Sequence, residues 1–270
     1  MAIPMNLPQR NSIQGLWHLD ELSGVRYDVS GNSNTLQDNN TVLYGTGKIG
    51  NAANFELDTS ESLSITDALQ TGLDITGNMT VSAWIKRETD TDVMIVAGKY
   101  LNTDNKRCWY VKADAAIFDK KLEFTVSDNG EFAGHVTSII SDTEIVTGSW
   151  YHTCVIHDAT NNELRLYVAG VSDAVPVAHA TGIADKTSSF EIGSRYTGTS
   201  DYFDGLIDEV IVWNTCLTAA EVLQVKNITA YTYGTGNFFI FFSQAYKKNK
   251  EHFKNKLWIP NNEILVPQGI

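Results

Sequence analysis

Two groups of side chains in this 270-residue sequence have the chemistry of a binding site. The first is a set of oxygen donors: Asp28, Asn32 and Asn34 in the segment DVSGNSN, with Asp208 in the segment GLIDEV. Carboxylate and amide oxygens, supplemented by loop carbonyls, are what a hard cation such as Ca2+ requires. By simple strand alternation Asp208 shares a face with Leu206, Val210 and Val212, while Glu209 points the other way. A carboxylate buried there needs a cation or several donors, because an unpaired buried charge is costly. The competing reading is an Asx turn at Asp28 and backbone N–H donors at Asp208. The expectation is one structural calcium held by Asp28, Asn32, Asn34 and Asp208.

The second group is aromatic. A flat ring stacks on the apolar face of a sugar while nearby amides and charges hold its hydroxyls. Tyr100 with Asn102 and Asp104, Arg107 with Trp109, and Tyr196 with Asp201 and Tyr202 lie in or beside polar segments. These eight residues are the expected ligand contacts, with plain packing as the competing reading for any one of them.

A third arrangement, Glu56-Leu57-Asp58-Thr59-Ser60-Glu61, offers paired carboxylates. Acid–base cleavage of a glycosidic bond needs two carboxyl groups facing each other across a cleft. Here Asp58-Thr59-Ser60 has turn chemistry and separates two strand-like runs, so no catalytic residue is expected. No Gly-x-Ser-x-Gly elbow, phosphate-cradling loop, His-Glu-x-x-His helix or Cys-x-x-Cys pair occurs, which removes the starting chemistry of common hydrolase, nucleotide and zinc sites. His152 and His157 are five apart, on opposite faces of an extended strand. Cys108, Cys154 and Cys216 are odd in number and scattered, and read as buried thiols, with one possible pair held in reserve. The sequons at Asn39, Asn78 and Asn227 carry no weight without an export signal.

The elements that must position these residues are almost all strands. Apolar and polar residues alternate over short stretches bounded by Gly, Asn, Asp and Ser. In ELRLYVAG at 163–170, Leu164, Leu166 and Val168 point one way and Glu163, Arg165 and Tyr167 the other. TVSAWIKR at 80–87 and GLIDEVIVWN at 205–214 are apolar on both faces, as central strands are when each side is covered. Helical signal is confined to 217–227, where Thr218 and Glu221 have capping-box spacing.

A formal charge of -12 repels phosphate backbones and anionic head groups, so nucleic acid is not an expected partner. Residues 226–270 depart from this balance with six Lys and two Glu, and their apolar-then-basic run reads as an extension, either strand plus amphipathic helix or a loosely held tail. No apolar stretch reaches membrane-spanning length, and MAIPMNLPQRNSIQ lacks the basic-then-apolar pattern of a signal peptide.

Taken in order, GLWHLDE, DVSGNSN, GKIGNAANFE, LDITGNMTVSAWIK, GSWYHTCVIHD, LRLYVAG, FEIGSRY and YFDGLIDEVIVWNTCLTAAEV span residues 15–226. This ordered set resembles the laminin G-like jelly roll of the concanavalin A-like lectin and glucanase superfamily. Ala169 stands where the family usually has Asn before the turn Gly. The resemblance implies an all-β, two-sheet antiparallel jelly-roll sandwich with one short C-terminal helix. The expected organisation is an N-terminal arm over 1–11, the sandwich over 12–226 and an extension over 227–270. The resemblance also implies binding of glycans or proteins, often with one calcium near the sheet edge, in an extracellular or surface setting. The Glu-x-Asp-x-x-Glu order is similar to the paired carboxylates of retaining β-glucanases of that superfamily. Fold alone does not confer function. The expected role is non-catalytic recognition of glycans or glycoprotein surfaces. A structural or adhesion role, as a surface or virion component using the extension to dock protein neighbours, comes second, and a glycan-active hydrolase third.

Overall fold

The computed structural model describes residues 3–90, 93–114, 120–195, 201–228 and 231, and the backbone alone of Asp114, 257–258 and 264–265. The strands in chain order are β1 (Ile13–Trp17), β2 (Gln37–Asn39), β3 (Leu43–Thr46), β4 (Asn51–Phe55), β5 (Ser62–Ile65), β6 (Met79–Arg87), β7 (Val93–Leu101) and β8 (Lys106–Asp114). There follow β9 (Lys121–Ser127), β10 (Val136–Glu144), β11 (Tyr151–Asp158), β12 (Glu163–Val168), β13 (Val171–Ser172), β14 (Val177–Ala178), β15 (Phe190–Ile192) and β16 (Gly205–Trp213). One helix, α1 (Ala219–Lys226), follows β16.

These strands form two antiparallel sheets, the expected jelly-roll sandwich. One sheet runs β13-β12-β11-β6-β16-β4-β3, with β1 also on β16 and β14 on β12; the other runs β10-β9-β8-β7-β15-β5-β2. The expected central position of 80–87 and 205–214 is found: β6 pairs with both β11 and β16. Their two apolar faces follow from two layers of cover. Val81, Ala83 and Ile85 point between the sheets, whereas Ile211 and Trp213 join a second cluster on the far side of the same sheet. Between the sheets Trp17 stacks on Phe190 at 4.9 Å, and Phe190 also meets Trp109 at 6.1 Å. Burying each such ring contributes roughly 1.5–3 kcal/mol.

The second cluster corrects one detail of the alternation reading. In β12, Glu163 and Arg165 are partly exposed, but Tyr167 on the same face is buried, because Val222 and Val225 of α1 and Leu7 of the N-terminal segment pack in the same cluster. Helix α1 starts as its sequence predicts: Thr218 Oγ1 accepts from the Glu221 N–H, and Glu221 Oε2 accepts from the Thr218 N–H. Ile228 and Tyr231 join the cluster too, so side chains from both predicted flanking segments are packed against the sandwich. The rest of the extension lies outside the described residues, except for a two-residue ladder pairing Leu257 with Leu265 and Trp258 with Ile264. Among the described residues no helix is long and apolar enough to cross a membrane.

Candidate functional site

Strand β8 alternates cleanly. Trp109 and Val111 point into the core, so Tyr110 and Lys112 must point out of the opposite face of the seven-stranded sheet. On that face lies a cavity of about 450 Å3, lined by Tyr100, Asn102, Arg107, Tyr110, Lys112, Phe132 and Arg195. Tyr100 is delivered by β7, and Arg195 by the segment after β15. Gly193 in that segment has φ +82°, and a Cβ there would stand 2.5 Å from Phe55, so only glycine fits the turn that brings Arg195 to the rim.

The two tyrosines pack edge to face, with centroids 4.7 Å apart. Arg195 lies 5.8 Å from the Tyr100 ring and 5.2 Å from the Tyr110 ring; Arg107 lies 6.0 Å from Tyr100 and 5.9 Å from Phe132. Such stacking holds guanidinium planes in place while their edges remain available for hydrogen bonds. Arg195 pairs with Asp201. Lys112 Nζ stands 2.8 Å from Glu123 Oε2, and Glu123 Oε1 accepts from the Tyr110 hydroxyl at 3.3 Å and the Thr125 hydroxyl at 2.6 Å. Arg107 donates to the side-chain oxygens of Asn102 and Asn105 and to the Gly130 carbonyl. Burial raises the pKa of both phenols, so they are neutral at physiological pH. Tyr100 and Tyr110 are buried beneath the cavity floor, so the exposed Phe132 ring supplies most of its aromatic surface, beside amide groups and a cationic rim.

Of the eight ligand contacts expected from sequence, Tyr100, Asn102 and Arg107 line the cavity. Asp201 touches it through Arg195, whereas Asp104 is exposed in the turn beyond β7 and Tyr202 lies off the lining. Tyr196 lies outside the described residues. Trp109 is a correction: it is 1% exposed and packs against Phe190, because strand parity turns it inward. The same parity could have identified Tyr110 and Lys112 from sequence. Phe132 and Arg195 come from distant loops, and no local signal marks them.

The oxygen-donor set divides into two networks. Asp28 Oδ1 accepts from the backbone N–H of Leu16 and Ser30, and its Oδ2 from the Asn34 N–H and the Ser30 hydroxyl. The Asn32 and Asn34 amides both donate to the Gln14 carbonyl, and Asn34 Oδ1 accepts from the Thr71 N–H. Donors thus occupy the Asp28 and Asn34 side-chain oxygens, the hydrogen-bonded turn that was the competing reading for this segment.

Asp208 sits elsewhere, its Oδ2 accepting from the N–H groups of Lys48 and Ile49. A β-bulge between Asp208 and Ile211, with Glu209 at φ +54°, corrects the face assignment made by alternation. Ile207 faces the core before the bulge and Val210 and Val212 after it, so Asp208 faces away from them. Asp208 Oδ1 and Glu209 Oε1 are buried without hydrogen-bond partners. Burial, then Glu209, then Asp20 hold the Asp208 carboxyl well above its ordinary range. Asp20, which accepts from the Asn51 N–H, is pushed up to about 6, chiefly by burial and with Glu209 adding. Glu209 Oε2 accepts from the Tyr231 hydroxyl and meets His18 Nδ1 at 2.8 Å. Burial alone would lower His18, but Glu209 outweighs it and raises that imidazole. Asp208, Glu209 and Asp20 thus fit a positive charge better than Asp28 does. No three His, Cys, Asp or Glu side chains among the described residues converge as metal ligands, so a cation here would complete its shell with backbone oxygens or water.

The carboxylate string at 56–61 closes on itself. Glu61 Oε2 accepts from the Glu56 N–H and its Oε1 from the Thr59 hydroxyl, around a 3-10 turn over Leu57–Thr59. His152 is buried edge-on against Trp84, and burial lowers its pKa to about 3. The three cysteines are free thiols.

Known structures share this architecture. Domain 4 of AbnA, a GH43 extracellular arabinanase from Geobacillus stearothermophilus, in complex with arabinotriose, is similar at TM-score 0.58 and 19% identity, covering 80% of this chain and 98% of that one. The binding domain of Paraclostridial Mosquitocidal Protein 1 is similar at TM-score 0.61 and 17% identity, covering 81% and 52%. Botulinum neurotoxin type C, whose passage into cells is dependent upon interaction with two ganglioside molecules, is similar at TM-score 0.62 and 15% identity, covering 83% and 53%. The chain thus spans about half the length of these toxin binding domains. No curated protein matches it by sequence. The laminin G profile of the concanavalin A-like lectin/glucanases superfamily matches residues 57–223, more than half of the sequence, and the chain belongs to that superfamily.

Proposed function

We propose that this chain is a non-catalytic glycan-binding module whose ligand occupies the cavity on the seven-stranded sheet. The observation that carries the reading is the edge-to-face pair Tyr100–Tyr110, set among an amide and three cationic side chains in one cavity. Its volume of about 450 Å3 falls within the ~300–1,000 Å3 of small-ligand sites. The Tyr110 hydroxyl gives its proton to Glu123 and so can accept from a sugar hydroxyl, and the Asn102 amide is placed to read one more. Support also comes from similarly folded proteins: an arabinanase domain bound to arabinotriose and a toxin dependent on gangliosides. A structural cation belongs to this reading beside Asp208 Oδ1 and Glu209 Oε1, the two buried carboxylate oxygens without hydrogen-bond partners, with backbone oxygens or water completing its shell.

The test is retention of the full chain on immobilised arabinan and on a glycan array, beside Phe132→Ala, which removes the exposed ring of the cavity. Removing one aromatic platform should weaken binding by about tenfold or less, the upper end of what an aromatic contact contributes. Failure of the chain to bind any glycan would sink the proposal.

A further inference from the structure

We infer that the cavity recognises a sugar bearing an anionic group, carboxylate or sulfate, and that Arg107 is the residue that reads it. The inference rests on the glycan-binding reading and adds the class of ligand. The chain carries a net charge of -12, yet Arg107, Lys112 and Arg195 all line this one cavity, and among the described residues no carboxylate does. Two of the cations have acidic neighbours: Lys112 pairs with Glu123 and Arg195 with Asp201. Arg107 differs. Among the described residues its guanidinium bonds neutral acceptors, the Asn102 and Asn105 side chains, the Gly130 carbonyl and the Tyr100 hydroxyl, and it has no ion pair there.

The Arg107 guanidinium is stacked near Tyr100 and Phe132 with Nε and Nη1 given to neutral acceptors, which leaves its charge and Nη2 for an oxygen of a carboxylate or sulfate. The rings alongside supply the surface on which a pyranose or furanose can lie. A neutral sugar would use the rings and amide and leave the positive charge unmatched, whereas an anionic sugar uses both. The net negative field of the rest of the protein repels anions at long range. Discrimination must therefore be short-ranged, and it should weaken as salt screens the partly exposed rim.

The test measures binding of the full chain to matched pairs that differ only in the charged group: polygalacturonate and its methyl ester, sialyllactose and its methyl ester, heparin and desulfated heparin. Neutral arabinan is the uncharged reference. The expected result is about a tenfold preference for the charged member of at least one pair, as a charge-assisted hydrogen bond provides. That preference should shrink when NaCl is raised from about 0.05 M to about 0.5 M. Which pair responds separates carboxylate from sulfate. Arg107→Gln should bring the charged and neutral members to within about twofold of each other. Because Arg107 also ties Asn102 and Gly130 together, the wild-type preference and its salt dependence decide the matter even if that variant is unstable. Equal affinity within every pair, or retention by arabinan alone, overturns the anionic assignment and leaves the glycan reading standing. Binding to none of the probes overturns both.

Discussion

Asp20→Asn is a substitution for which the structure gives both the sign and the size of the effect. The Asp20 carboxyl is raised from 3.8 to about 6, first by burial and then by Glu209, against the opposing hydrogen bond from the Asn51 N–H. A carboxyl with a raised folded-state pKa binds its proton more tightly in the folded chain than in the unfolded one. Its contribution therefore favours folding below about pH 4 and is lost as pH rises through about 6. At 1.36 kcal/mol per pH unit, the ionised form costs up to about 3 kcal/mol at neutral pH. Asparagine keeps an oxygen for the Asn51 N–H and removes the charge, but brings an NH2 that needs an acceptor, so about 2 kcal/mol of stabilisation is expected at about pH 8. For a chain of this size that corresponds to a rise of roughly 4–8 °C in Tm. Melting of both proteins should be followed by circular dichroism in the presence of a calcium chelator, from about pH 8 down to about pH 4, where the difference should close. A variant that melts at or below the wild type at the upper pH, or a gap that does not narrow on acidification, would refute the electrostatic reasoning.

Other outcomes follow from the same packing and charge. If a cation sits beside Asp208 Oδ1 and Glu209 Oε1, calcium should raise the wild-type Tm relative to chelator, because a ligand bound only by the folded state stabilises it; Asp208→Asn should abolish the rise, and an unchanged wild-type Tm would sink the calcium reading. Phe190→Ala removes the ring that joins Trp17 to Trp109 between the sheets and should cost about 3–5 kcal/mol in denaturant unfolding; a loss below about 1 kcal/mol would mean that the core there repacks freely. Thr218→Ala deletes one half of the capping box of α1 and should cost about 1 kcal/mol, read from the same unfolding curves.

The all-β class, the central position of 80–87 and 205–214 and the capped helix after β16 were legible in the sequence, because each depends on local periodicity or a short-range hydrogen-bonding pattern. The resemblance in segment order extended this to the jelly roll, and three cavity residues, Tyr100, Asn102 and Arg107, were readable as rings and polar groups near a turn. Parity was legible where the strand is regular, as at Tyr110 and Lys112, and illegible at Asp208, where one extra residue in the bulge moves the following side chains to the other face. Whether a polar oxygen is free or already committed was not legible at all: the Asp28 turn and the Asp208 carboxylate look alike as donor sets. Only the fold brings Leu16, Ser30 and Asn34 N–H groups to the former and leaves Asp208 Oδ1 and Glu209 Oε1 without partners. Likewise Phe132 and Arg195, about 60 residues apart, meet at one cavity because the β9–β10 loop and the segment after β15 reach the same face. Pairing of distant strands decides such meetings, and its cost and reward are set by the whole sandwich rather than by any stretch of sequence.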